Sequence, residues 1–383
     1  MMGTRLRETL LATWVWVRHR LDRRQPDVSE LGTSAIRRIL AISCTAIGDT
    51  LMSTAALASL RRTYPDARIV LMVHPAYAAL FADNPDTDGQ ISYDGRWKGF
   101  LRALCAARRE TFDLVAILHG NEPQATPLAY LCGARWRFKW PNDNRFRYLL
   151  SNDQPVKRWD DFAHGIDQRL AVAESAGAVP GAPRRMVLPV SAERRQRVDA
   201  RLAEVWGITV AQPLLGFQVG ASTASRRWRP ERYAELGRRL LAAHPDLMLV
   251  ITGSPQEQGL AEAVAQGIDS PRVIVTAGRL GLADLPALVA RMLCLVTPDT
   301  GIMHMAVAVR TPVVALFAAA HWSRSGPTVD LDRHIILQKH RTCDPCLGKR
   351  CPYAAPLCMD NILTDEVFDA CQRQLRAHPE PQA

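Results

Sequence analysis

Residues 39–64 read ILAISCTAIGDTLMSTAALASLRRTY. A short run of apolar residues (39–43) is followed by the turn Ala46-Ile47-Gly48-Asp49 and then by a helical stretch over about residues 50–64. An uninterrupted apolar run of strand length is the mark of a strand buried on both faces, and such strands belong to parallel sheets covered by helices. The unit recurs outward from here. Apolar runs at 69–73 and 114–118 flank a loop with Asn84-Pro85-Asp86 and a basic helix near 100–109. A second set of runs lies at 214–218, 247–252, 273–275, 294–297 and 312–317. The pattern predicts an α/β chain with two Rossmann-like parallel-sheet domains facing a cleft, with ligands at the carboxyl ends of the strands. Gly177 to Pro183 (GAVPGAP) reads as the approach to a linker, and a helix is expected over 192–205. The predicted organisation is a basic amphipathic extension (1–34), an N-terminal Rossmann-like domain (35–190), a linker helix with a C-terminal Rossmann-like domain (191–340), and a cysteine cluster with a terminal helix (341–383).

The 383 residues suffice for two cores, and 48% hydrophobic with 22% charged residues excludes collagen-like, disordered and disulfide-scaffold classes. Lys plus Arg number 48 against 38 Asp plus Glu, a net charge of +10. Nucleic acid, anionic lipid and phosphorylated small molecules all suit such a surplus. The nine cysteines are an odd total without a convincing secretion signal, which predicts a reducing cytoplasm. Cys44, Cys105, Cys132, Cys294 and Cys371 stand among apolar neighbours and are expected to be buried. Near the start, Leu10-Leu11-Ala12-Thr13-Trp14-Val15-Trp16-Val17 is too short to span a bilayer and runs into Arg18, Arg20, Arg23 and Arg24. As a helix it sets Trp14, Val17 and Leu21 at helical spacing, either lying in a membrane interface or packed on the first domain.

Three loops after predicted strands carry candidate chemistry. Asp49 stands where it would cap the following helix, or where a carboxylate could take a proton from an attacking hydroxyl. Gly220, Ser222 and Arg226 open a loop running to Trp228-Arg229-Pro230, an anion site if the arginines face a phosphate and a solvated basic loop otherwise; a buried Trp228 would anchor it. Asp299, Thr300 and Gly301 precede a buried helix whose first amides suit a phosphate, and His304 lies one turn in, as a core residue or beside that phosphate. There is no GxGxxG after the first strand, no GxxxxGK[ST] and no HExxH. The loops point to transfer from a nucleotide-activated donor with no cofactor or metal required for catalysis.

In order and spacing, AIGDT, GASTASRRWRPERYAEL and TPDTGIMHMAVAVRTPVVALF resemble glycosyltransferase family 9, the ADP-heptose:lipopolysaccharide heptosyltransferases, over about residues 36–317. The resemblance implies a GT-B fold, inversion at the anomeric carbon, an ADP-sugar donor on the C-terminal domain and an acceptor on the N-terminal one. It implies that Asp49 in Ala46-Ile47-Gly48-Asp49 is the catalytic base and that Gly48 adjoins the acceptor. Arg226 falls where the family often has a lysine on the donor phosphates. Asp299, Thr300, Gly301 and His304 match the D-T-G-x-x-H motif, and Gly253 a loop near the nucleotide. The chain departs from the family at Val219, where proline is common, at residues 318–320, and at Arg310, where glycine is usual.

The stretch Arg135-Trp136-Arg137-Phe138-Lys139 alternates cation with aromatic, so a strand here has one basic and one aromatic face. Arg135, Arg137 and Lys139 are read as contacts to an anionic glycolipid acceptor, against a solvated surface or a nucleic-acid site. Cys343, Cys346, Cys351 and Cys358 form C-x2-C-x4-C-x6-C, which suits a structural zinc; redox thiols or iron are the competing options. The expected function is heptose transfer from ADP-heptose to a lipopolysaccharide inner-core hydroxyl, in the cytoplasm and peripherally at the inner membrane, with no nucleic-acid partner. The alternatives are another nucleotide sugar, a protein acceptor, or a non-catalytic zinc-bearing nucleic-acid-binding protein.

Overall fold

The apolar runs become strands of two all-parallel sheets, one in each of two units, Met1–Val187 and Leu188–Ala383. The structure, a computed structural model, describes all residues except 1–3, 23–27, 141–143, 152–154, 156, 159–160, 319–320, 340–342, 344–350, 352–356 and 381–383.

The first unit contains helix α1 (Thr4–Leu21), β1 (Arg38–Ser43), α2 (Ile47–Thr63), β2 (Arg68–Val73), β3 (Gly89–Ser92), α3 (Trp97–Glu110), β4 (Leu114–His119), α4 (Ala125–Leu131), β5 (Trp136–Lys139) and α5 (Gly165–Ser175). Its strand order is β3-β2-β1-β4-β5. Beyond their first residue, β1 and β2 are wholly buried, as a sheet covered on both faces requires. The chain reverses direction across the sheet between β1 and β4, and ligands of open parallel sheets bind at that switch point. There the β1–β4 pairing slips, Ile42 facing Ile117 but Ser43 facing His119. A bulge of this kind re-aims the side chains that follow it.

The second unit contains α6 (Ala192–Trp206), β6 (Leu214–Gln218), α7 (Pro230–Ala243), β7 (Met248–Thr252), α8 (Gln258–Ile268), β8 (Val273–Val275), α9 (Leu285–Ala290), β9 (Met292–Pro298), α10 (Gly301–Ala308), β10 (Val313–Phe317), β11 (His334–Gln338), α11 (Leu357–Asp360) and α12 (Thr364–Ala377). The order β11-β10-β9-β6-β7-β8 puts its switch point between β6 and β9. Gly216 is required within β6, because a Cβ there would fall on Met292 Sδ. The terminal segment is part of this unit's core: Met359, Ile362, Val367, Ala370 and Cys371 join the cluster around Phe217, Trp228 and Leu249.

Cys44, Cys132, Cys294 and Cys371 are buried as expected, but Cys105 is exposed. It lies on α3, whose buried face is Phe100, Ala103, Leu104 and Ala107, and one position beyond Leu104 turns a side chain outward.

Candidate active site

Asp49 does not cap α2. The helix begins at Ile47 with Ala46 as N-cap, so Asp49 is its third residue, where a carboxylate suits the positive end of the helix dipole. Its side chain instead meets groups from β4 and α5. Arg169 Nη2 donates to Asp49 Oδ1 at 2.8 Å, and His119 Nε2 lies 3.5 Å from the same oxygen. Thr45 Oγ1 is 2.6 Å from His119 Nδ1 and 3.4 Å from Asp49 Oδ2. Thr45 has one proton. Either it donates to Nδ1, which leaves the ring proton on Nε2 toward Asp49, or it accepts from Nδ1–H and donates to Oδ2. In the first arrangement Oδ2 accepts nothing from Thr45, and in the second it accepts one long bond of 3.4 Å against 2.8 Å at Oδ1; Asp49 keeps 28% of its side chain exposed.

Burial holds His119 below its ordinary pKa, and the cations of Arg169 and Lys139 outside it oppose the raising pull of Asp49. The ring is therefore neutral near pH 7. Arg169 is wholly buried, held also by Gly165 O at 2.7 Å. Three elements that converge only in the folded unit thus surround the carboxylate, at the β1–β4 switch point. Gly48 is buried in the first turn of α2 beside Asp49.

The strand with an outward basic face is not formed. All four residues of β5 are buried. Arg137 donates to the carbonyls of Leu149 and Ala134, each at 2.6 Å, and so ties loops together. Lys139 pairs with Glu122, which also accepts from Thr126. The strand has a neighbour on one side only, but loops and α5 cover both faces, a cover that alternation alone does not reveal. Arg135 precedes the strand, is exposed and pairs with Glu30.

In the second unit, Arg226 and Asp299 meet at the β6–β9 switch point: Arg226 Nη1 is 3.4 Å from Asp299 Oδ2 and donates to its carbonyl at 3.2 Å. Thr300 is the N-cap of α10 without a side-chain cap bond, which leaves the amides of the first turn for another acceptor. Gly301 starts that helix and His304 is buried one turn in. Gly220 and Ser222 follow β6, and a Cβ on Gly220 would fall on the carboxylate of Glu257. Glu257 accepts from Ser254 N at 2.8 Å and lies against Gly253 as well. Trp228 is buried, donates to Ile362 O at 2.9 Å and stands edge-on to Tyr233. The other arginines of this loop are engaged within the unit, Arg227 on Ala221 O and Arg229 on Asp360.

A model of glycosyltransferase family 9 (heptosyltransferase) matches residues 100–355. The chain belongs to glycosyltransferase family 9. Within curated proteins this family 9 enzyme is 26% identical to the lipooligosaccharide heptosyltransferase 2 of Haemophilus ducreyi over 304 residues, 76% of this chain and 86% of that one. It is similar to the solved glycosyl transferase family 9 structure from Veillonella parvula, with TM-score 0.74, 23% identity, and coverage of 89% of this chain and 97% of that one. It is similar too to the E. coli ADP-heptose lps heptosyltransferase II, with TM-score 0.73, 21% identity, and coverage of 89% and 99%. Its two parallel-sheet units are thus of the GT-B class, and it is a glycosyltransferase.

Sequence reading of this family 9 enzyme passed over Arg169, His119 and Glu257. Nothing in residues 165–175 distinguishes Arg169 from other helical arginines. His119 was readable as a polar residue at the carboxyl end of a predicted strand. Glu257 was readable as the last residue of the capping pattern Ser254-Pro255-Gln256-Glu257. Of the cysteine cluster, Cys346 lies outside the described residues; Cys343 and Cys351 are half-buried and Cys358 is buried. Among the described residues no group of three or more His, Cys, Asp or Glu side chains is gathered to hold a metal. Arg23, Arg24 and Ala319-Ala320 also lie outside them.

Proposed function

We propose that the chain is an inverting, metal-independent heptosyltransferase that moves a heptose from ADP-heptose to a hydroxyl of the lipopolysaccharide inner core, at the cytoplasmic face of the inner membrane. The observation that carries the reading is the clamped carboxylate of Asp49, with Oδ1 held by Arg169, Oδ2 within only a long 3.4 Å reach of Thr45, and 28% of the side chain exposed. In the proposed step an acceptor hydroxyl attacks the anomeric carbon, its proton passes to Asp49 Oδ2, and the bond from that carbon to the diphosphate oxygen breaks. Arg169 and His119 contact the base and not the acceptor on this reading, and act as positioning residues.

The donor belongs to the second unit on this reading. Arg226 and the amides at Gly301 and beyond meet the charge that grows on the departing diphosphate, the work a metal would otherwise do. Asp299 aims the guanidinium, and His304 backs the first turn of α10. Glu257, above Gly220 and Gly253, accepts from ribose hydroxyls, as acidic groups at this point of a Rossmann-like sheet do. Arg135 and Gly48 remain the acceptor-side candidates, and Arg137 and Lys139 shape that side from within. For Cys343, Cys346, Cys351 and Cys358 the proposal is a structural zinc, with iron or redox-active thiols the competing options, which elemental analysis of the purified chain distinguishes.

The nucleic-acid reading loses the basic-aromatic stretch that motivated it, because Arg137 and Lys139 are buried and engaged by Leu149 O and Glu122. The test is incubation with ADP-heptose and truncated lipopolysaccharide cores, with and without a chelator. ADP release with a matching mass gain, unchanged by the chelator, is expected. Release from a different nucleotide sugar alone, or modification of a protein acceptor alone, would move the assignment within family 9.

A further inference from the structure

Helix α1 has two apolar faces, and the fold uses one. Leu11 and Val15 are buried in the first unit's core with Tyr130 and Phe146. Three contacts fix this inner side: Arg145 Nη2 donates to Glu8 O at 2.8 Å, Tyr130 Oη donates to Asp22 Oδ2 at 3.2 Å, and His19 stands edge-on to Tyr148 at 5.0 Å. The helix is therefore a docked element with a defined outer face.

On that outer face lie Leu6, Leu10, Trp14, Val17 and Leu21, exposed by 50, 51, 50, 43 and 76%. At 100° per residue these five fall within an arc of about 80°, and at 1.5 Å per residue they form a ridge about 22 Å long. A ridge of this size, including a tryptophan, is not the scattered apolar exposure of an ordinary surface. Arg7 and Arg18 border it on one side and Arg20 on the other, where Arg20 lies 5.1 Å over the Trp16 ring. Beside the ridge is a groove of about 920 Å³ between Trp14, Val17 and Leu21 and the basic groups Arg18 and Arg135. The groove's own carboxylates are engaged, Asp22 by Tyr130 and Glu30 by Arg135.

We infer that the outer face of α1 seats the first unit on an anionic lipid bilayer, with the ridge in the interface and the bordering arginines at the lipid phosphates. This rests on the membrane-side reading above and gives it a surface. The charge pattern selects the occupant. Apolar side chains flanked on both sides by arginine complement acyl chains beneath phosphate headgroups, and tryptophan favours headgroup depth. No described helix is long and apolar enough to cross a membrane, so α1 lies along the bilayer on this assignment.

The experiment is co-sedimentation of the full chain with vesicles of phosphatidylcholine alone or mixed with phosphatidylglycerol. The chain should pellet with the mixed vesicles, less so as salt is raised. A Val17→Glu/Leu21→Glu variant, altered only at exposed positions, should bind about ten-fold or more weakly while its thermal unfolding is unchanged. The inference is overturned if the parent chain stays in the supernatant with mixed vesicles, or if the variant binds as well as the parent. It is also overturned if the variant loses self-association in analytical ultracentrifugation and keeps vesicle binding, which would make the ridge a contact between copies. Vesicle binding without any ADP-sugar turnover would leave this surface standing and remove the proposed donor.

Discussion

Arg169, with 1% of its side chain exposed, donates to Asp49 Oδ1 at 2.8 Å across 120 residues of chain. The pair joins α5 to the first turn of α2 and gives one carboxylate two functions, a proposed chemical one and a structural one. The guanidinium also donates to Gly165 O and Gln168 Oε1, and its Nε is unpartnered. Asp49 is therefore its only counter-charge among these contacts.

Removing Asp49 should thus lower stability as well as rate. Asp49→Ala leaves a buried cation uncompensated and is expected to cost about 3 kcal/mol of unfolding free energy. Asp49→Asn keeps an oxygen facing the guanidinium and should cost about 1 kcal/mol, while losing about 10²–10⁴ in transfer rate. Thermal unfolding and ADP release measured on both variants check the pair. An Asp49→Asn chain with parental turnover would sink the base assignment.

Arg169→Met is expected to reduce kcat by about ten-fold or more with little change in acceptor KM, because it alters where the base points and touches no substrate. Arg169→Lys should restore part of kcat. Equal losses in kcat and in folded fraction for both variants would show a purely structural role.

Loss of Arg226 should act on the leaving group. Arg226→Ala is expected to lower kcat by about 10²–10³, and Arg226→Lys by less, since the charge remains while the two-pronged geometry goes. Steady-state kinetics with the nucleotide sugar varied will show it. Retention of full rate in Arg226→Ala would remove the arginine from the mechanism.

Arg310 has φ +64°, in the left-handed region, which explains why a glycine is the usual residue there. Its side chain gains only a long, exposed approach to Asp330 of 3.8 Å. Arg310→Gly should therefore stabilise the second unit by about 0.5–1 kcal/mol, read as a rise in Tm of about 1–3 °C.

His334, at the start of β11, is buried, its Nδ1 has no hydrogen-bond partner, and burial pushes its pKa down to about 4. The folded state favours the neutral ring, so its contribution is whole above the unfolded value near 6.5 and is lost as pH falls from there toward 4. Between pH 7 and pH 5 the chain should lose on the order of 1–2 kcal/mol through this ring. His334→Gln should flatten that part of the profile in urea unfolding at the two pH values.

How much was readable differs between the strands and the site. The runs at 214–218 and 273–275 became β6 and β8 with the same bounds, because a strand buried on both faces must be apolar throughout. The short edge strand Gly89–Ser92 carries no such run and went unread. Arg135 to Lys139 alternates as a half-exposed strand would, yet loops and a helix cover both faces of Trp136–Lys139, so Arg137 and Lys139 are interior and only Arg135, ahead of the strand, stays exposed. Which arginines remain available to a ligand is also a tertiary matter, since ion pairing depends on carboxylates tens of residues away.

The sequence by itself determined the two-unit α/β plan, the family, and the loops that follow the strands, because local periodicity and ordered motifs are properties of neighbours along the chain. Only the tertiary structure decided that Asp49 is clamped by Arg169 and His119, that Arg226 aims at Asp299, and that α1 turns a second apolar face to solvent. Those relations are set by which strands adjoin at a switch point and which helix face a core can absorb. Both are long-range consequences of packing.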